Sequence, residues 1–355
     1  MAAMTNNNVF AMAGKPLVEN DAGSYVAWSG KDQPAVAGEK LGCGVLVLKP
    51  LGFALPHYAD SCKFGYVLGG SAVVGVLPAA GVGVCARERV VRLKAGDVIV
   101  VRSGDVSWWY NDADEDDVSI VFLGDTAGAV SPGDITYFIL AGANGVLGVL
   151  DAGLLAKASG RLTEQQVATA FRSQPAALLT KLSRKLHGVS PHEHDRDGLV
   201  VNAARVPPDT TGLGKTVTAA HMPALGQLGF SVGLTRLEAG AAREPWVLRN
   251  GPVAQAVYVA RGSGRVQIAG AGGASTLLDD TEVSAGSLFV VPRFAVACVA
   301  AGAGGMESVS LIKSSRPVVE HLVGNCSVLG SLTPEILQAA LNVSPELVEL
   351  LRTTK

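Results

Sequence analysis

Two stretches of sequence decide the fold: GYVLGGSAVVGVL at residues 65–77 and VYVARGSGRVQIA at residues 257–269. Each combines β-branched residues with glycines, the composition of short strands joined by turns. A second pair follows in the same order, KAGDVIVVRSGDVSWW from Lys94 and SAGSLFVVPRFAVACV from Ser284. The same pattern therefore occurs twice, which predicts two copies of one structural unit.

Both halves end in segments with a helical pattern, LTEQQVATAFRSQPAALLTKL in the first and LTPEILQAALNVSPELVELL in the second. Thr163 followed by Gln166 has the spacing of a capping box. Ser344 before Pro345 has the pattern of an N-cap residue and the first residue of a helix. We therefore expect each half to close with a pair of short helices.

The repeated strand and helix patterns predict two small β-barrels or sandwiches, each followed by a helical arm. We place the first domain at residues 1–185 and the second at residues 215–355. The polar, Pro- and Gly-containing stretch between them, residues 186–214, is interpreted as a linker and surface loop.

Composition excludes several classes of function. The chain has 355 residues, of which 48% are hydrophobic and 17% are charged, and its formal net charge is −2. That balance does not fit a disordered chain, and it gives no basic surface for nucleic acid. The longest apolar run, residues 136–150, is too short to span a membrane. No signal peptide pattern is visible at the start, so we expect a cytoplasmic protein with neither a nucleic-acid nor a membrane partner. The five widely spaced cysteines fit reduced thiols: Cys43, Cys62, Cys85, Cys298 and Cys326.

One segment resembles a known motif. GDVIVVRSGDVSWWYN, residues 96–111, is similar to the second motif of the cupin superfamily, with Ser107 at the position of the metal-binding histidine. The first motif would supply two histidines and a glutamate, but LPHYADSCKFGYV offers only His57, and Lys63 stands near the glutamate position. A transition metal normally needs three or more protein ligands, and an ammonium group repels a cation. We therefore expect no metal and no cofactor.

The second half departs further from the motif, because Phe294, Ala297 and Ala301 replace its glycine, histidine and asparagine. Beyond the superfamily, the chain resembles the legumin-type (glutelin-like) seed storage globulins, in a non-processed plant branch. The stretches LPHYADSCKFGYVLGGSAVVGVLP, SAGSLFVVPRFAVACVA and GNCSVLGSLTPEILQAALNVSPELVELL carry this resemblance. It implies an all-β bicupin, two tandem jelly-roll barrels with helical arms, and a non-enzymatic nutrient reservoir.

The resemblance also implies a homotrimer assembled through the helical arms. The sequence offers a physical reason, because a two-helix extension cannot bury its own apolar faces. A ring of three chains would cover them through repeated heterologous contacts. The Asn-Gly processing site of relatives, with its nearby cysteine, is missing from residues 206–223.

Two other functions remain open. A binding module is the first alternative, in which the first barrel cavity holds a small apolar or anionic molecule near His57, Lys63, Ser107, Trp108 and Asn111. A metal-dependent cupin enzyme, a dioxygenase or isomerase, is the weaker one, and we identify no catalytic residues.

Three further motifs are given structural interpretations. His192 and His194 have the spacing of a metal pair but lie in a polar loop, and Gly262 and Gly264 precede a strand and not a helix, which predicts a hairpin turn. The acidic run at 112–117 lacks the spaced ligands of a calcium loop and is interpreted as a solvated turn.

Overall fold

The structure, a computed structural model, describes residues 12–80, 85–140, 142–209, 214–272, 274–324 and 326–353. Its contacts divide the chain into two units. The N-terminal unit comprises Gly14–Asp32 and Lys40–Arg205. The C-terminal unit comprises Val206–Lys355 together with two earlier segments, Met1–Ala13 and Gln33–Glu39. The stretch predicted as a linker is thus divided, since residues up to Arg205 group with the first unit.

Strands dominate both units, and the α-helices are short. The strands up to residue 205 are β1 Met12–Ala13, β2 Lys15–Asn20, β3 Gly23–Trp28, β4 Leu41–Leu48, β5 Gly52–Ala59, β6 Cys62–Gly69, β7 Ser71–Leu77, β8 Arg89–Lys94, β9 Asp97–Val101, β10 Val106–Tyr110, β11 Val118–Asp125, β12 Tyr137–Ile139, β13 Leu179–Lys181 and β14 Val200–Asn202. The later strands are β15 Lys215–Val217, β16 Ser231–Leu237, β17 Ala242–Val247, β18 Gln255–Gly272, β19 Ala274–Ser284, β20 Ser287–Val291, β21 Val296–Ile312 and β22 Glu320–His321. The α-helices are α1 Pro34–Gly38, α2 Ala152–Ser159, α3 Glu164–Arg172, α4 Pro223–Leu228, α5 Pro334–Leu341 and α6 Pro345–Thr353, and single 3-10 turns lie at Glu193–Arg196 and Ala203–Arg205.

The N-terminal unit is a jelly roll of two antiparallel sheets. One sheet has the order β12-β5-β10-β7-β8, with β13 also paired to β5, and the other has the order β14-β9-β6-β11-β4-β3-β2. The core includes the buried side chains of Val67, Ile99, Trp109 and Phe122. Several strands are apolar on both faces, as β9 largely is, because one face meets the core and the other is covered as well.

The C-terminal unit is built on one nine-stranded antiparallel sheet with the main order β1-β20-β18-β21-β16-β15. Its two longest strands, β18 and β21, run for 18 and 17 residues. The prediction of a hairpin turn at Gly262 is wrong, because β18 continues through this glycine with a shift of register. Gly262 has a φ of 75°, and a side chain there would meet the carbonyl of Gly305, so glycine is required at this bulge.

The two units use different residues in one equivalent turn. Between β9 and β10 the turn contains Gly104, which has a φ of 82°. Between β20 and β21 the same position is Phe294, with a φ of 62° and a side chain 58% exposed. A bulky residue in the left-handed region is strained, because its Cβ crowds the backbone.

The predicted helical arms are present in both units, with one difference. The capping box at Thr163 and Gln166 is confirmed, and α6 begins at Pro345 as the sequence indicates. The helix expected after Pro175 is absent, because Leu179–Lys181 forms β13 and pairs with β5. Leu179 is fully buried there, so the gain from joining the sheet outweighs the helical tendency of the run. In the described part of the chain, no helix is long and apolar enough to cross a membrane.

Candidate functional site

The N-terminal unit encloses a cavity of about 20 Å³ between its two sheets. Its volume suits a water or a group of similar size, so a larger ligand requires side chains to move. Aromatic and aliphatic side chains form most of the wall. The lining residues are Tyr25, Leu46, Ala54, His57, Lys63, Trp109, Phe122, Tyr137 and Leu178.

Lys63, which lines this cavity from β6, is a buried cation. Its side chain is only 1% exposed, and among the described residues Nζ has no hydrogen-bond partner. Nζ lies 5.2 Å from the centroid of the Tyr137 ring. Burial lowers the pKa of Lys63 to about 8. Cys62 and the carboxylates of Asp60 and Asp105 act in the opposite direction and raise this pKa, but burial has the larger effect. The ammonium therefore still carries its charge at pH 7, in an apolar wall.

His57 lines the same cavity from β5 and is neutral. Nδ1 lies 2.7 Å from the carbonyl oxygen of Leu55, a distance at which a protonated Nδ1 donates a hydrogen bond. Burial, together with the charge of Lys63, lowers the pKa of His57 to about 4. A protonated Nδ1 leaves Nε2 as an acceptor, and the imidazole packs edge-on against Tyr137 at 5.2 Å. The hydroxyls of Tyr137 and Tyr25 are hydrogen-bonded to each other at 2.5 Å.

The other three predicted cavity residues lie elsewhere. Trp109 lines the cavity in place of the predicted Trp108, because alternation along β10 turns their side chains to opposite faces. Trp108 instead donates through Nε1 to Glu88 at 2.6 Å. Ser107 is buried beside the cavity and accepts a hydrogen bond from Trp109 Nε1 at 3.3 Å.

Asn111, the last predicted cavity residue, is buried in a turn. Its Nδ2 donates to the carbonyl oxygens of Leu48 and Asp116, both at 2.8 Å, and its Oδ1 accepts from the amide of Ala113. These bonds satisfy the whole side-chain amide. Asn111 therefore holds the chain between β10 and β11 and does not contribute to the cavity wall.

Of the two histidines in the 192–194 loop, His194 is in contact with an arginine. His194 Nε2 lies 3.0 Å from Arg87 Nη2, and Arg87 also pairs with the buried Asp195 at 3.1 Å. An arginine in contact with the imidazole disfavours a second cation. Across the described ranges, no group of three or more His, Cys, Asp or Glu side chains is placed to hold a metal ion. In the acidic run, Asp112 pairs with Arg92 and Asp114 with Lys185.

The C-terminal unit has a second cavity, also of about 20 Å³, which sequence reasoning missed. Its polar lining includes Thr235, Arg243, Gln255 and Ser308. The apolar lining residues are Leu237, Trp246, Val257, Phe289, Val299 and Met306.

Arg243 is the cation of this second cavity. It is 7% exposed, and Nε and Nη2 have no hydrogen-bond partner among the described residues. The guanidinium lies 4.0 Å above the ring of Trp246, a cation–π contact. Burial lowers the pKa of Arg243 to about 10, partly offset by the charge of Asp209, so it remains a cation at pH 7.

A bulge explains why the pattern of β17 does not reveal this pair. Residues three apart on a regular strand face opposite ways. However, Arg243 pairs with Val299 and Trp246 with Ala297, so β17 has one extra residue between these positions. The bulge turns both side chains into the same cavity.

A chain of hydrogen bonds fixes the orientation of the Trp246 ring. Its Nε1 donates to Gln255 Oε1 at 3.4 Å, and Gln255 Nε2 donates to Ser310 Oγ at 2.9 Å. Ser310 in turn donates to the carbonyl of Gly233. Each polar group of Gln255 thus has a hydrogen-bond partner in this chain of bonds.

Comparison with known proteins shows which family has this architecture. The profile of the cupin family matches residues 11–159 and 204–349. The 11S globulin seed storage protein 2 of Sesamum indicum is 21% identical over 414 residues, which cover 95% of this chain and 87% of that protein. The 13S globulin basic chain of Fagopyrum esculentum is 30% identical over 138 residues, 39% of this chain and 69% of the relative.

A solved structure agrees with these matches. The crystal structure of pumpkin seed globulin superimposes with a TM-score of 0.85 at 19% identity, covering 100% of this chain and 98% of the other, which shows a shared fold. Two jelly-roll units with helical arms define a bicupin. The chain therefore belongs to the cupin family, and within that family to the legumin-type globulins.

Proposed function

We propose that the chain is a storage-type globulin, whose accumulated protein mass is its function and which catalyses no reaction. The observation that carries this proposal is the family match of both halves, together with whole-chain similarity to a protein named as a seed storage globulin. The cavities agree with it, because each presents one cation and a mostly apolar wall. Among the described lining residues, neither cavity combines a serine or cysteine with a histidine.

Protein abundance through development tests the storage role. In the organism that makes this chain, quantitative proteomics should show accumulation before dormancy and breakdown when growth resumes. Constant low abundance through both stages would contradict storage. A housekeeping protein measured in the same samples is the control for total protein turnover.

We further infer a trimer assembled through the helical arms. Their apolar side chains are largely exposed within one chain, with Ile336 at 55% and Leu350 at 64%. Single exposed apolar residues are ordinary, but a row of them on paired short helices favours a buried interface. The exposed apolar residues of the arms are Leu154, Leu162, Leu332, Ile336, Leu341, Leu347 and Leu350.

Light scattering with size-exclusion chromatography measures the assembly directly. The expected mass is three times the 36.3 kDa of one chain. The double variant Ile336→Glu with Leu350→Glu should elute as a smaller species. Leu277→Glu, at a similarly exposed position outside the arms (53%), is the matched control and should leave the mass unchanged. A wild-type monomer would contradict the proposal.

A second candidate function, binding of a small anion in the N-terminal cavity, is favoured by the unpartnered Nζ of Lys63. A buried charge is costly unless it is paired, and an anion would supply the pair. Calorimetric titration of the protein with chloride, which the C-terminal cavity is expected to bind only weakly, should give saturable binding that Lys63→Met abolishes and Lys49→Met, on the surface, retains. Equal weak binding in both variants would exclude this candidate.

A further inference from the structure

We propose that the C-terminal cavity is a binding site for a small carboxylate, of formate or acetate size, held by the guanidinium of Arg243. The site is independent of the storage role and of the N-terminal cavity. It combines a buried cation, an aromatic ring and hydroxyl groups around one enclosed space.

The first argument is the cost of leaving this guanidinium unpaired. Arg243 lies within the C-terminal unit and is almost completely removed from solvent. Buried charges in proteins are normally paired and hydrogen-bonded, because removal from water is otherwise strongly unfavourable. Trp246 stabilises the face of the guanidinium but accepts no hydrogen bond from its edge. The charge of Asp209 acts on the guanidinium, but no described residue accepts a hydrogen bond from Nε or Nη2, and a bound anion would supply such an acceptor.

The second argument is the geometry of the free donors. Nε and Nη2, the two nitrogens without partners among the described residues, form one edge of the planar guanidinium, and their N–H groups point the same way. That edge matches the two oxygens of a carboxylate, which accept two parallel hydrogen bonds. A halide offers both donors one shared acceptor, whereas a carboxylate offers each donor its own oxygen in a straight hydrogen bond.

The third argument concerns size and the remaining wall. The cavity volume of about 20 Å³ suits a water-sized group, so even a small carboxylate enters only if a lining side chain moves. Met306 also lines the cavity, and its unbranched side chain can change rotamer to admit a carboxylate. The hydroxyl of Ser308 is a further donor in the lining. The apolar residues around them suit the short alkyl part of acetate.

Fluorine NMR of the full chain labelled with fluorotryptophan tests the site. The chain has four tryptophans, of which Trp246 lines the C-terminal cavity and Trp109 the N-terminal one. Formate, added at constant ionic strength, should shift the Trp246 resonance in a saturable way, with chloride much weaker. Trp→Phe variants assign the resonances, and the Trp109 signal reports the other cavity separately.

Two arginine variants provide the matched comparison. Arg243→Met should remove the formate response of Trp246, whereas Arg265→Met, an exposed arginine paired with Asp280, should keep it. Arg243→Lys keeps the charge but loses the planar pair of donors, so the Trp246 resonance should respond to formate more weakly. This variant also tests the site if Arg243→Met does not fold. A Trp246 resonance that formate does not shift in the wild-type protein would overturn the proposal. So would an equal response to chloride, or a formate response that persists in Arg243→Met.

Discussion

In the N-terminal unit the cavity cation is Lys63 on β6, whereas the residue at the equivalent register in the C-terminal unit is the neutral Gln255 on β18. Lys63 pairs with Val101 on β9 as Gln255 pairs with Val291 on β20. The cation of the second cavity is Arg243 on β17, whose counterpart on β5 is Ala54. The two units therefore bury one cavity cation each, but from different strands.

This difference shows that the position of a charge can change while its presence in the cavity is kept. It also changes the kind of charge. A buried lysine titrates near neutral pH, and here its pKa falls to about 8. An arginine remains a cation across the same range and adds a planar fork of donors. The charge in the N-terminal cavity is thus sensitive to pH, whereas the charge in the C-terminal cavity is constant near neutral pH and has a fixed planar geometry.

The largest expected effect is from removing the lysine charge. Lys63→Met should raise the free energy of unfolding by about 3 kcal/mol at pH 7, because a pKa lowered from 10.5 to about 8 measures the cost of burying the ammonium. Urea denaturation in low-salt buffer measures the change. Lys49→Met is the control and should have little effect. Destabilisation by Lys63→Met would mean that the ammonium group has a stabilising partner.

The pH dependence of stability sharpens the same point. The folded state gives up the proton of Lys63 near pH 8 and the unfolded state near pH 10.5, so the unfolded state binds more protons between these values. The destabilisation is full below pH 8 and disappears as the pH rises to 10.5. The stability difference between Lys63→Met and the wild type should therefore shrink across this window. A difference that stays constant with pH would contradict the assignment.

A smaller effect is expected at the equivalent turns. Gly104→Ala should cost about 1 to 2 kcal/mol, because a Cβ there has space but the φ of 82° is unfavourable for alanine. Phe294→Gly should stabilise the chain by about 1 kcal/mol, since it relieves the same strain at an exposed side chain. Thermal unfolding of both variants compares the turns. A loss of stability in Phe294→Gly would show that the phenyl ring makes a stabilising contact.

The smallest effect distinguishes the two helical arms. Thr163 caps α3 by accepting from the amide of Gln166 at 3.2 Å, whereas Thr333 before α5 makes no side-chain capping bond. Thr163→Ala should therefore cost about 1 kcal/mol, and Thr333→Ala only a few tenths. Chemical denaturation of the two variants measures the difference. Equal losses would show that capping is not what separates the arms.

Much of the fold could be predicted from the sequence, because the duplication is visible when the two halves are compared and helix caps are local signals. The repeated strand pattern predicted two small β-barrels or sandwiches, the family resemblance implied jelly rolls, and the Thr163 cap was evident from its own neighbours. His57 and Lys63, taken from the first motif, line the cavity, whereas Ser107, Trp108 and Asn111, taken from the second, do not. The Arg243–Trp246 pair was not predicted, because a bulge in β17 reverses the alternation on which such reasoning depends. The strand at Leu179–Lys181 was missed because a distant partner, β5, decides its conformation.

The membership of Met12–Ala13 and Gln33–Glu39 in the C-terminal unit has a consequence for biosynthesis. The ribosome finishes every residue of the N-terminal unit before it begins residue 206, so that unit can fold early. In contrast, β1 must wait for β20, and Gln33 Nε2 must wait for the carbonyl of Leu288. Val36, fully buried in the finished protein, lies in one of these two early segments. A chain that began at Val206 would lack both early segments. Residues from 206 onward therefore do not contain the whole of the C-terminal unit.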